Sequence, residues 1–297
     1  MKTFVGFRCA HPAAAFFFFA FAFTVSLAST HPLELGAGFL GAILCDLSLQ
    51  KEKTKRLLLR VLLPMLALIT CFNGFYNHYG VTVLFTLTSG NRFTLEALIY
   101  GLVFAVRAVS GVLWLDAAGV VLQSDKVIWL FGRLSPRLAL VISMVLRFLP
   151  LMRRQAEEIR LAQQGLGSAP TGNFIQKLRL AAHRLSILIS WTMERGIDTA
   201  DSMRARGYGL RKRSFYNRFA FSPSDLALTL ATAAALALYL ATVRSMAAVY
   251  NPAVAVPAPG VPGWLAFAAL VLALLIPSLT QLAASLSTRA AVKEIGE

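Results

Sequence analysis

A chain of 297 residues that is 57% hydrophobic and only 14% charged does not suit a soluble globular protein, whose charged share runs near a quarter. Its net charge of +15 is concentrated: between Arg147 and Arg218 there are 14 Lys/Arg against five Asp/Glu. Such a block serves either as a nucleic-acid patch or as the cytoplasmic face of a membrane protein near anionic lipid, and no recognisable nucleic-acid motif accompanies it.

Apolar stretches near 12–30, 33–49, 57–76, 94–122, 225–248 and 262–286 approach or exceed the length a helix needs to cross a ~30 Å hydrocarbon core. The first follows Lys2 and Arg8 and reads either as a span or as a signal peptide cleaved near Ser26–Thr30; the span is preferred, because more apolar helices follow and the orientation then works. His11 and His31 each precede a proline, which fits helix entry better than metal ligation. Cys9, Cys45 and Cys71 have no metal-type spacing, so neither a disulfide framework nor a metal site is expected.

Charge then sets the sidedness. The loop expected at Gln50–Arg60 carries Lys51, Lys53, Lys55, Arg56 and Arg60, whereas the loop at 77–93 has only Arg92 and the one at 249–262 has no charge. Cytoplasmic loops are enriched in Lys and Arg, so six spans with both termini cytoplasmic are expected. The fold class is thus an all-α integral membrane protein, divided into N-terminal spans (1–122), a cytoplasmic region (123–218) and C-terminal spans (219–297).

The cytoplasmic region predicts two long helices. Ser135-Pro136 supplies an N-cap and a first-turn proline for a helix running to about Gln164, with Pro150 inside it as an expected kink. Leu138, Val141, Ile142, Val145, Leu149 and Met152 form its apolar stripe. Gly165, Gly167, Pro170 and Gly172 break the chain, and Asn173 with Gln176 resembles a capping box opening a second helix to about Arg206. Gly207 and Gly209 stop it. Ala182, Ser186 and Ser190 stand four apart, a stripe of small residues that would let the first helix cross closely; the alternative is coincidence in an alanine-rich chain. Both helices are amphipathic enough to lie at the membrane–water interface against lipid.

No GxxxxGK[ST], HExxH or GxSxG occurs, so the chain is expected not to be an enzyme and to need no cofactor. Ionisable residues fall within the spans at Glu34, Asp46, Glu96, Arg107 and Asp116. Glu96 and Arg107, eleven apart, suit one helical face, and with Asp116 they define an alternative: an ion-coupled secondary transporter. Glu34 and Glu96 lie near span ends and Asp46 near the cytoplasmic loop, where charge costs less. Arg206, between Ala205 and Gly207, stands clear of its neighbours at a helix end, so a partner's groove can close around its guanidinium. The same arginine also fits a plain positive-inside charge near a C-cap.

Four blocks carry a resemblance: NHYGVTVLF (77–85), SDKVIWLFGRLSP (124–136), LRFLPLMRRQ (146–155) and MERGIDTADSMRARGYG (193–209). Through them nearly the whole chain from His11 resembles the transmembrane T component of energy-coupling factor (ECF) transporters, the EcfT/CbiQ group. The resemblance implies a scaffold subunit of an ABC-type importer for vitamins or transition-metal ions, in the cell's plasma or inner membrane. It implies as partners a small substrate-binding S component and two ABC-type ATPases, reached by two coupling helices and docked through a small–arginine–small motif at each helix end. The second motif carries over to Ala205, Arg206 and Gly207. The first, close to Ala-Gln-x-Ala-Arg-Gly in the family, reads Ala162, Gln163, Gln164, Gly165, Leu166 and Gly167 here, so Leu166 stands where the arginine is expected. Either that contact is apolar, or a nearby cation such as Arg160 substitutes, or the contact is weaker. Glu194, Arg195, Asp198 and Asp201 are expected to tune the helix pair or the ATPase surface.

Overall fold

The computed structural model describes residues 7–77, 80–86, 92–166, 173–210, 219–250 and 254–295. Among them the elements run α1 (Pro12–Ala28), α2 (Pro32–Leu57), a π-helical turn (Leu58–Leu62), α3 (Leu63–Tyr76), β1 (Val83–Thr86), β2 (Arg92–Thr94), α4 (Leu95–Val121), α5 (Ser124–Leu134), α6 (Pro136–Gly165), α7 (Phe174–Ala205), α8 (Pro223–Thr242) and α9 (Val261–Ile295). The chain divides into two units, Met1–Gln123 with Phe219–Glu297, and Ser124–Arg218.

In the first unit the two histidines do open helices. Each occupies an N-cap ahead of a proline, and its Nδ1 accepts a backbone N–H two residues on, from Ala13 and from Leu33, both at 3.3 Å. The core is built on helical periodicity. Ala105, Val109, Leu113, Ala117 and Val121 line α4 at intervals of four and are buried, as are Leu228, Thr232, Ala235 and Tyr239 on α8. Phe18 of α1 meets Trp114 edge to face at 5.7 Å, and the Trp114 indole N–H donates to Ser26 Oγ at 3.0 Å. Large leucines point outward instead: Leu40, Leu68 and Leu272 are each at least 60% exposed. Water would make that arrangement aggregate, and lipid satisfies it.

Among the described residues, four helical segments are long and apolar enough to cross a membrane: Pro32–Tyr76, Leu95–Val121, Pro223–Thr242 and Val261–Thr288. The segment Pro32–Tyr76 corrects the expected loop at Gln50–Arg60, which is helical. Lys and Glu are good helix formers, and one residue suffices for the bend: Gln50 leaves helical space at φ −144°, ψ 60°. Contacts along α4 give the direction on each side of that break. Arg107 meets Ser29 just before α2, and α2 stays near α4 down to Lys53 beside Asp116. Beyond the break the order inverts, with Gly101 against Thr70 and Asn73, and Leu98 against Gly74. The two halves therefore run in opposite senses along α4. Thr54 ties the break, its hydroxyl donating to the carbonyls of Gln50 at 2.8 Å and Asp46 at 3.2 Å.

Two ends of the unit are fixed by polar contacts. The Asp225 carboxylate, buried at the start of α8, accepts the N–H of Ser222 at 2.9 Å and the N–H of His11 at 3.0 Å. It thereby caps α8 and holds the entry to α1 beside it. At the opposite end of α1, Arg107 Nη2 donates to Ser29 O at 2.6 Å, and the Tyr250 hydroxyl donates to Thr30 O at 2.8 Å. Burial pushes the Tyr250 phenol up, which keeps its proton available for that bond. Strands β1 and β2, which fall in the stretch expected as a plain loop, pair antiparallel and lead into α4.

The second unit is helical and thinly packed. α5 coincides with the block SDKVIWLFGRLSP, though no helix is expected there from capping or periodicity. α6 runs unbroken through Pro150, and its expected stripe is largely outward: Leu138, Val141, Val145 and Leu149 are exposed. Ser135 and Asn173 stand at N-cap positions, yet neither side chain makes a capping bond, so the capping box expected from Asn173 and Gln176 does not form. The Asn173 backbone carbonyl instead accepts the N–H groups of Gln176 and Lys177. Over its 32 residues α7 has no buried side chain.

Candidate functional site

The end of α7 is determined by glycine chemistry. Gly207 adopts φ +80°, a left-handed value that side chains with a Cβ resist. That conformation lets Gly207 N–H reach Arg204 O at 2.9 Å and Tyr208 N–H reach back to Met203 O, also at 2.9 Å. The pair of bonds is a Schellman stop, which satisfies two of the carbonyls a helix end leaves free. Arg206 is the C-cap residue of this motif at φ −83°, ψ 8°. It is exposed, as are Arg204 and Ala205, and no ion pair reaches it among the described residues. Its guanidinium is displayed on a rigid turn, flanked by Ala205 and Gly207.

Replacing Gly207 by valine should loosen this turn. A β-branched residue at left-handed φ costs on the order of 1–2 kcal/mol, and its Cβ would also lie 2.9 Å from Leu210 Cδ1. Amide exchange at 207 and 208 should accelerate roughly tenfold while the helix upstream of Ser202 exchanges as before.

The C-cap residue of α6 has the same backbone angles. Leu166 is its C-cap at φ −83°, ψ 9°, and its N–H bonds Ala162 O at 3.1 Å. Leu166 is 83% exposed, a large apolar side chain held out in the position that Arg206 has on α7. Gly165 precedes it with open space around its Cα. Gly167 lies outside the described residues. Arg160, the suggested substitute cation, is engaged with Glu157 at 3.4 Å and sits a turn and a half earlier.

Gln163 has a different role. Its side chain is buried, and Oε1 accepts Arg184 Nε at 2.7 Å, tying the last turn of α6 to α7. The less exposed residues of α7 around that contact are Leu180, Arg184, Leu188 and Trp191, spaced four, four and three. This corrects the expected crossing stripe. Ala182, Ser186 and Ser190 are all exposed, because Ala182 is two residues from Arg184 and so about 200° around the helix. Spacing alone marked two stripes on α7 and could not say which one a partner covers. Arg184 was not singled out from the sequence, since nothing local distinguishes it from other basic residues.

The crossing sits near one end of the pair. Leu166 is three residues from Gln163, but Arg206 is 22 residues beyond Arg184, about 33 Å along α7 at ~1.5 Å per residue. The two displayed side chains are thus well separated. Along α7, Glu194, Asp198 and Asp201 are exposed, and Arg195 stacks 5.5 Å over Trp191.

The ionisable residues of the spans do not all assemble into one site, although Asp46 and Asp116 act on each other. Glu96 accepts Thr82 N–H at 3.1 Å and the Thr82 hydroxyl, so it braces the approach to α4. Arg107 faces Ser29 O, and Asp116 pairs with Lys53 at 2.8 Å. Glu96 and Arg107, which spacing allowed on one face, have separate partners. Among the described residues no three His, Cys, Asp or Glu side chains converge to hold a metal ion.

Residues 8–216 match the family model CbiQ, described as cobalt transport protein. No curated protein matches the chain.

Proposed function

The chain belongs to the CbiQ family of cobalt transport proteins and is a membrane-embedded transport component, and we propose that it is the scaffold and coupling subunit of an ECF-type ABC importer. The observation that carries this reading is the pair of matched, exposed helix ends in the second unit, each presenting one side chain beside a small residue. A subunit with no phosphate-binding loop needs ATPases from outside, and these ends suit docking into two of them. The ATPase contacts would be Arg206 with Ala205 and Gly207 on α7, and Leu166 with Gly167 on α6. Gln163 would hold the α6 end in place through Arg184.

In this reading α6 and α7 are the coupling helices of a cytoplasmic region at 123–218, between membrane regions at 1–122 and 219–297. Six spans follow when α1 and the two halves of Pro32–Tyr76 are counted with α4, α8 and α9. The basic run after Gln50, and the bond of His11 to Asp225 that holds the start of α1 beside that of α8, support cytoplasmic termini in a plasma or inner membrane. ATP-driven movement of α6 and α7 would reorient an S component bound to the spans and release a micronutrient inside. The family description favours a metal-ion cargo, with the S component making the selection.

The test is affinity purification of the tagged full chain from its native membrane in a mild detergent. A P-loop ATPase and a second small membrane protein should co-purify in stoichiometric amounts. Recovery of the chain alone, from membranes that accumulate the substrate, would overturn the reading.

A further inference from the structure

Inside the break in α2, buried carboxyl groups outnumber the cations that reach them, although the surface there is basic. Asp46 is fully buried, and neither of its carboxyl oxygens has a hydrogen-bond partner among the described residues. Asp116 Oδ1 pairs with Lys53 at 2.8 Å, while its Oδ2 is buried without a hydrogen-bond partner among the described residues. The Thr54 hydroxyl lies beside the Asp46 carboxyl but donates to the carbonyls of Asp46 and Gln50, and among the described residues the buried Gln50 Nε2 has no partner. The charged groups acting on Asp46 are Asp116 and Lys53, with the Cys45 thiol next to it in sequence. Of the elements packed against α2, α1 carries no titratable residue and neither does α9 up to Thr288; α4 adds Glu96 and Arg107, engaged with Thr82 and Ser29, and the π-helical turn adds the exposed Arg60, while Lys51, Glu52, Lys55 and Arg56 of α2 itself are exposed.

The count is two carboxylates to one ammonium. An isolated buried carboxylate costs several kcal/mol even after relaxation, and such groups ordinarily take up a proton instead. A metal ion suits the site poorly. Hard cations want about six oxygens, whereas here three free carboxyl oxygens lie close to an ammonium already in place.

We propose that Asp46 is a proton-binding site, its carboxyl held neutral by a proton so that the Lys53 ammonium is left to Asp116 alone. The proton exchanges with water by way of the Lys53–Asp116 pair, whose side chains are 58% and 23% exposed. When Asp46 gives it up, both carboxylates compete for the Lys53 ammonium at the residue where the chain reverses. Protonation and the geometry of the Gln50 break are thereby linked.

Infrared difference spectroscopy on the full chain in detergent at neutral pH tests this. The wild type should show the carbonyl band of a protonated carboxyl, shifted on labelling with isotope-substituted aspartate. Asp46→Asn should remove one carboxyl equivalent of that band. Asp116→Asn should remove it too, because Lys53 is then free to pair with Asp46 and ionise it. Glu34→Gln should leave the aspartate band in place. An aspartate band that persists in Asp46→Asn overturns the proposal, as does no aspartate band in the wild type. Sodium raising the melting temperature of the wild type but not of Asp46→Asn would also overturn it, since the site would then hold a metal cation. Should Asp46→Asn fail to fold, the isotope shift in the wild type together with the Asp116→Asn loss decides the matter.

Discussion

Arg206→Glu is expected to strip the ATPase from the purified complex by on the order of 30-fold or more, with uptake falling in parallel. Truncating one partner of a buried, hydrogen-bonded charge pair costs about 2–5 kcal/mol, and each 1.4 kcal/mol is tenfold. Reversal adds repulsion to whatever acceptor lines the groove. Arg206→Lys should fall between, since an ammonium keeps the charge but loses the guanidinium's fixed fork of donors. The structural reason for so large an effect is that Arg206 has no ion-pair partner to lose among the described residues and sits on a turn already closed by the Gly207 and Tyr208 backbone bonds. Leu166 provides the comparison. Its φ and ψ match those of Arg206 to within a degree, so the two cap residues share a backbone conformation and differ in side-chain chemistry. Leu166→Arg should weaken association, because a guanidinium placed in an apolar groove loses its water without finding acceptors. Quantitative co-purification of the ATPase with each variant reads all three. Undiminished recovery with Arg206→Glu would remove Arg206 as the principal anchor.

The largest effect on folding is expected at Gly101. A Cβ there would stand 2.7 Å from Asn73 Cβ and 2.9 Å from the Thr70 carbonyl oxygen, a backbone atom that cannot swing aside. Helices in lipid associate through such close backbone approach, with no water-driven burial to compensate for its loss. Gly101→Val should therefore separate α3 from α4 at a cost of roughly 3–5 kcal/mol, the range of the most damaging core substitutions. A drop of roughly 10 °C or more in melting temperature would follow. Gly36→Ala and Gly119→Ala are the matched controls. Both are helical, neither would meet an atom within 4 Å, and alanine is the better helix former. Heating in detergent followed by size-exclusion chromatography separates these outcomes; a Gly101→Val protein as stable as wild type would show that α3 and α4 part without loss.

What could be read in advance was local. Proline after a polar cap opened α1, α2 and α6 where expected, and Gly207 closed α7, because each depends on a few adjacent residues. The failures lie where distant residues decide. Lys51 to Arg60 looked like a loop by charge, yet a helix accommodates those residues as long as the one before them, Gln50, absorbs the reversal. Ala182, Ser186 and Ser190 had the right spacing for a crossing, but the choice of face was made by Gln163, 21 residues before Arg184. Lys53 found Asp116 across 63 residues, with no sequence pattern to announce it. At the helix ends, the sequence displayed Arg206 and Leu166 as residues, but not that both stand at C-caps with the same backbone angles.

The bond between His11 and Asp225 spans 214 residues, and that distance bears on how the protein is made. A ribosome adding ~5–20 residues per second needs roughly 10–40 s to travel from one to the other. Through that interval α1 sits in the bilayer with its entry turn unanchored, because the carboxylate that fixes it has not yet been synthesised. Insertion of the first helix and its final seating are therefore separate events in biogenesis. Nascent chains halted before α8 should yield a first segment that proteases or extraction reach far more readily than in the finished protein.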